Sequence, residues 1–209
     1  MPLARLVPAL LLASAALAAN FANFNIQPTG SQNLDLASGV TTLPQGGRVS
    51  DTSAGFSVTA KWIQYKDGVF LSARQALVTT QDGGKVRADL VNYQVATKLM
   101  RASGHLLYSD RRVVHLTAAR ATYNTATQIV VVTGSVRAQQ PALSATELMV
   151  DYLKKQALLV GRYRYAYQGT SLSNNAPSGV LLLQWSPSGA VQVTTEPSAA
   201  QLAPYRPYL

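Results

Sequence analysis

The chain has 209 residues, no cysteine, 18 Lys plus Arg against 9 Asp plus Glu, and a formal net charge of +9. Without cysteine there is no disulfide, thiol nucleophile, Cys-ligated zinc or lipoprotein acylation site, so the fold is held by its core alone. The basic excess favours anionic partners in general, whether anionic lipid, phosphorylated glycolipid or nucleic acid.

At the N-terminus, Arg5 precedes an apolar run from Leu6 to Leu17 that closes on Ala16-Leu17-Ala18, the small-residue pattern a signal peptidase cuts. Residues 1–18 read as a signal peptide, and the protein as exported to the periplasm or cell envelope. A retained anchor is the alternative, and Pro8 together with the A-x-A ending favours cleavage. The run is far shorter than the roughly 20 apolar residues of a transmembrane helix, and no later stretch approaches that length. Export argues against a nucleic-acid partner.

Residues 19–55 are rich in Gly, Ser, Thr, Asn and Gln, with Pro28, Gly30, Gly39, Pro44, Gly46 and Gly47 as breakers. This composition predicts a loosely structured lead-in with room for one strand. From Phe56 to Tyr167 β-branched and aromatic residues alternate with polar ones. Turn formers such as Lys66-Asp67-Gly68, Asp82-Gly83-Gly84 and Asn124-Thr125 interrupt them. That pattern predicts an all-β, antiparallel architecture.

The same stretch is self-similar at a period of about 30 residues. Ala88, Ala118 and Ala145 correspond; five positions on stand Tyr93, Tyr123 and Val150, and eleven further on stand Gly104, Gly134 and Gly161. A fainter copy precedes them with Ala60, Tyr65 and the turn Lys66-Asp67-Gly68, and it lacks the glycine. Each unit reads as strand, tight turn, strand, with turns at 94–98, 124–128 and 151–155.

Side chains alternate across a strand with period two. Counting by twos from each glycine gives Met100, Ala102, Leu106 and Tyr108; then Val130, Val132, Val136 and Ala138; then Ala157, Leu159, Tyr163 and Tyr165. These predict an apolar interior along the stack. The opposite face, from Arg101, Ser103 and His105 to Leu158, Val160, Arg162 and Arg164, is mixed to polar. Three glycines in register predict a crease that folds the sheet onto itself. Beyond Tyr167, residues 168–195 read as a loop and then a capping hairpin, 180–185 and 190–195 around Ser186-Pro187-Ser188-Gly189. Residues 196–209, with Pro197, Pro204 and Pro207, read as an extended tail or strap.

An alanine-polar pair, an aromatic-polar pair five residues on, a short turn and a strand broken by glycine together resemble the repeat of the OstA/LptA family. The best copies are Ala88-Asp89 with Tyr93-Gln94 and Gly104-His105-Leu106, and Tyr123-Asn124 with Gly134-Ser135-Val136. The resemblance covers roughly residues 57–165, and departs from the pattern at the missing first glycine, at Val150 and in the lead-in. It implies a β-jellyroll of stacked, bent antiparallel strands built from two-strand units, with an apolar groove for acyl chains. It also implies transport of lipopolysaccharide or a like amphiphile across the periplasm. Partners would be other OstA-like envelope proteins joined by edge-strand addition, or further copies of the chain joined head to tail.

On this reading Met100, Ala102, Leu106, Val130, Val132, Val136, Leu159 and Tyr163 are the candidate lipid-groove residues, and Gly104, Gly134 and Gly161 the repeat glycines. Burial in such a groove is worth about 0.8 kcal/mol per methylene. The same residues packed against one another as a dry core would instead make a structural scaffold acting through its edges, and periodicity does not separate the two.

Nothing in the sequence points to an enzyme, a cofactor or a metal. His105 and His115 have no carboxylates spaced to complete a metal site, and Glu147 and Asp151 fall on a strand and its turn rather than on one helix face. No GxSxG, HExxH or phosphate-cradling glycine loop occurs. The run Arg162-Tyr163-Arg164-Tyr165-Ala166-Tyr167 resembles a stacking platform for single strands. In a strand, however, its tyrosines and arginines face opposite ways.

Overall fold

A computed structural model describes residues 19–21, 24–81 and 83–209; the signal peptide read at 1–18 lies outside the described residues. The protein is all-β. The central strands are β6 (Phe56–Lys66), β7 (Phe70–Thr80), β8 (Lys85–Gln94), β9 (Leu99–Ser109), β10 (Leu116–Asn124), β11 (Ile129–Ala138), β12 (Ala142–Asp151) and β13 (Gln156–Tyr167). They pair antiparallel in strict chain order. The three sequence units fall on the hairpins β8–β9, β10–β11 and β12–β13.

Each of these strands crosses a crease, and the crease divides the sheet into two leaves. Gly104, Gly134 and Gly161 take φ values of +75°, +83° and +82°, and the strand register slips beside each of them. Two facts make glycine the residue for this position. The backbone lies in the left-handed region that side chains disfavour. A Cβ would also collide with the neighbouring strand: with Asp89 at Gly104, with Ala119 at Gly134, and with Thr146 at Gly161. In the first hairpin, which lacks the glycine, Gln75 takes φ +49° at the crease instead.

Of the recurring alanines, Ala60, Ala88 and Ala145 are buried in the core, as is Ala76 on β7, the cross-strand neighbour of Ala60 and Ala88, while Ala118 is half-buried against it.

Residues 19–55 depart from the loose lead-in expected from their composition. They form β1 (Ala19–Phe21), β2 (Phe24–Pro28), β3 (Asn33–Asp35), β4 (Val40–Leu43) and β5 (Gly47–Asp51). β5 pairs with residues 56–60 of β6, while β4 pairs with residues 63–65 of the same strand. One long strand thus feeds both leaves. The reason is apolar anchoring: Phe24, Ile26, Leu43 and Val49 are all buried and continue the inner rows of the repeats.

The other end mirrors this arrangement. Residues 163–167 of β13 pair with β14 (Thr170–Asn174), and residues 156–160 pair with β15 (Val180–Trp185), which pairs in turn with β16 (Val191–Thr194).

The tail is also more ordered than its prolines suggest. Residues 199–202 form a short helix, α1 (Ala199–Leu202), closed by a capping box in which Ser198 and Gln201 exchange hydrogen bonds. A single 3-10 turn at Arg206–Tyr208 follows. The tail lies against the outer face rather than over an open end. Tyr205 is fully buried there with Met149, Leu158 and Leu182. At this end the outward-facing row is therefore a second core and not the mixed, solvated face read from the alternation, because the tail covers it.

Candidate functional site

The inner faces meet in rows that run across the stack. One row on the second leaf joins Ile63, Ala73, Val91, Ala102, Ala121, Val132, Leu148 and Leu159 as successive cross-strand partners. In the N-terminal half, aromatic rings fill the space between the leaves. Tyr93 on β8 meets Phe24 and Phe56 edge-on, with ring centroids 6.0 and 5.4 Å apart.

Further along, the leaves enclose a cavity of about 440 Å³. Its walls include Met100, Ala102, Leu106, Ala121, Val130, Val132, Leu148, Ala157 and Leu183. Of the sequence-predicted groove residues, Met100, Ala102, Leu106, Val130 and Val132 line this cavity. Val136, Leu159 and Tyr163 are buried in the same hydrophobic cluster but do not border the open space. The repeat glycines lie at the crease, away from the mouth.

The mouth opens where the leaves' far edges diverge. Gln81 and the loop Asp110-Arg111-Arg112-Val113 border it from the first leaf, and Gln128, Tyr152, Lys155 and Trp185 from the second. Asp110 is already occupied as a turn former: its carboxylate accepts the backbone N–H groups of Arg112 at 2.7 Å and Val113 at 2.6 Å. Across the gap the Tyr152 hydroxyl donates to that of Tyr108 at 2.9 Å, and Tyr152 packs edge-on against Tyr123 at 6.4 Å. Burial, with Tyr152 and Asp110 beside it, pushes the Tyr108 phenol far above its ordinary range, which keeps that phenol protonated at physiological pH.

The sequence singled out the apolar walls but not the mouth. Arg111-Arg112 is a basic pair in a loop, a pattern too common to stand out, and only the fold brings it opposite Lys155. Of the other groups considered, His105 pairs on the surface with Asp89 at 2.6 Å, and His115 bonds Gln139 at 2.7 Å. Among the described residues no three His, Cys, Asp or Glu side chains cluster to hold a metal ion, and no helix is long and apolar enough to cross a membrane.

These features define a class: a creased antiparallel β-sheet whose two leaves enclose an apolar cleft with a basic rim. Among solved structures the chain is similar to LptH of Pseudomonas aeruginosa. That protein is described as the LptA homologous periplasmic component of the conserved lipopolysaccharide transport device. The identity is 14%, over 83% of this chain and 95% of that one, with a TM-score of 0.47. No protein-family model matches the sequence, and no curated protein does.

Proposed function

We propose that this is a non-enzymatic, exported envelope protein that holds acylated lipid between its two leaves, a periplasmic lipid-binding bridge or chaperone of the OstA/LptA kind. The observation that carries the reading is the cavity of about 440 Å³ with apolar walls and a basic mouth. A dry core has no use for such a space, since protein interiors pack to crystal-like density. The lining supplies the apolar environment an acyl chain needs, and Arg111, Arg112 and Lys155 supply the cations an acidic headgroup needs.

Edge strands are the route to partners. β3 and β14 each end a leaf and have mostly exposed residues, and an unpaired edge accepts a strand from another chain. Partners would be similar envelope proteins or a second copy joined end to end.

The scaffold reading draws on one observation, the ring-filled N-terminal half, which leaves no room for a chain between Phe24, Phe56 and Tyr93. The test is native mass spectrometry of the mature protein purified without detergent from its own envelope. Co-purifying acylated lipid, or uptake of added acylated lipid by the purified protein, is the expected outcome. A lipid-free protein that takes up no acylated lipid leaves only the scaffold.

A further inference from the structure

We infer that the cavity is built for the one chain of a single-chain anionic amphiphile, with the headgroup at Arg111, Arg112 and Lys155, and not for a lipid with many chains. This rests on the lipid-holding reading above and narrows it to a ligand class.

Size is the first argument. A cavity of about 440 Å³ falls low in the range of roughly 300–1,000 Å³ that sites for one drug-sized ligand occupy. A lipid with several chains has several times as many atoms as such a ligand, and each further chain needs a comparable volume.

Closure is the second argument, because the space has little means of growing. The crease bounds it behind. Toward the N-terminus stand the rings of Phe24, Phe56 and Tyr93, with a further space of about 170 Å³ where Phe24 and Tyr93 border a smaller pocket, less than a second chain needs. Across the front the hydrogen bond between Tyr152 and Tyr108, 2.9 Å long, ties one leaf to the other. Admitting more chains would part the leaves, break this bond and expose inner rows that are now buried.

Charge is the third argument. The rim has three cations, Arg111, Arg112 and Lys155, and one carboxylate, Asp110, which is engaged by backbone N–H groups. None of the three cations is ion-paired among the described residues. A chain buried tail-first leaves its headgroup at this rim, where two guanidinium groups on one side and an ammonium on the other can close on a phosphate or carboxylate.

The experiment uses the full mature chain, with calorimetry and native mass spectrometry. Four probes are compared: lysophosphatidylglycerol, lysophosphatidylcholine, dipalmitoyl phosphatidylglycerol and hexa-acylated lipid A. The expected result is a one-to-one complex with lysophosphatidylglycerol, bound more tightly than the other three. Replacing Arg111 and Arg112 together with Ala should weaken that complex by about tenfold or more, the scale of losing charge-assisted hydrogen bonds. Binding of lysophosphatidylcholine should change little. Ala121→Phe, which fills the cavity, should abolish binding while the protein still melts cooperatively; if it does not fold, Val130→Phe serves the same purpose. Equal or tighter binding of lipid A that Ala121→Phe also abolishes would overturn the single-chain assignment and leave the lipid-holding reading standing. Single-chain binding indifferent to both arginines would overturn the headgroup placement. Failure of all four lipids to bind would overturn the inference and the reading beneath it together.

Discussion

The two halves of the sheet share one hairpin design and differ in what stands between the leaves. Around β2, β6 and β8 Tyr93 meets Phe24 and Phe56, and rings stand between the leaves. The cavity begins beside Val78 of β7 and Val86 of β8 and runs on to Leu183 of β15, bordered by Met100, Ala102, Ala121, Val130 and Val132, and there the interior is hollow. Strand order does not explain the difference, because it follows the chain throughout the central stack. The rings that face the rows explain it: Tyr93 is met by Phe24 and Phe56, whereas Tyr123, on the other side of Met100, is met by Tyr152 at the mouth. A backbone of this kind can be made solid or hollow by exchanging a few residues, and a hollow interior forgoes packing that the solid one has.

The largest expected effect lies in making the solid half hollow. Phe56→Ala removes a buried ring that packs on Tyr93 and should cost about 3–5 kcal/mol, read from urea denaturation. A loss under about 1 kcal/mol would mean that the rings do not support this half as described.

Next comes the tie across the hollow half. Tyr152→Phe keeps the ring against Tyr123 but deletes the hydroxyl bonded to Tyr108, and should cost about 0.5–1.5 kcal/mol. Amide exchange should quicken in the loop 110–115 and at the turn 151–155, with β6 and β7 unchanged. Uniform exchange across the stack would show that the bond does not hold the leaves together locally.

The creases can be equalised as well. Gln75 holds φ +49° without a glycine's freedom, so Gln75→Gly should stabilise the first hairpin by about 0.5–1 kcal/mol. A destabilised variant would point to contacts of the Gln75 side chain that outweigh its backbone strain.

The smallest effect concerns Glu147 on β12, whose carboxyl burial holds above its ordinary value. A raised folded-state value means that ionisation opposes folding, so this penalty is absent at pH below the unfolded value and grows as the pH rises through the folded one. Glu147→Gln should therefore raise the melting temperature slightly at neutral pH, with the gain vanishing in acid. A gain that persists unchanged in acid would assign the effect to packing instead.

The hairpins, their turns and the crease were legible because each has a local signal: period-two alternation, turn formers and glycines in register. Ala102, Leu106 and Val132 were placed inward on that basis, and they lie inward. The lead-in was not legible, since strands of three to five residues are too short to show a period. Their anchors, Phe24, Ile26, Leu43 and Val49, are separated by glycines and prolines. The tail carried a signal that its prolines masked, because Ser198 followed three residues later by Gln201 is the spacing of a capping box. Leu158 and Val160 were also a clue, as apolar residues on a face otherwise polar, and the tail that buries Leu158 is what they answer to. Whether the interior is hollow or filled had no signal in the alternation. Alternation reports which way a side chain points and not how far it reaches, so an alanine that packs and an alanine that lines a void read alike.

From β7 to β12 each strand is bonded to its sequence neighbours alone, so a two-strand unit answers structurally to the units before and after it and to nothing more distant. Strands stand about 4.8 Å apart, so each unit contributes roughly 10 Å to the length of the stack. The reach of the chamber is thus counted in hairpins. A gene that gains or loses one such unit changes the length of the space between the leaves, without redesigning the crease, the walls or either end.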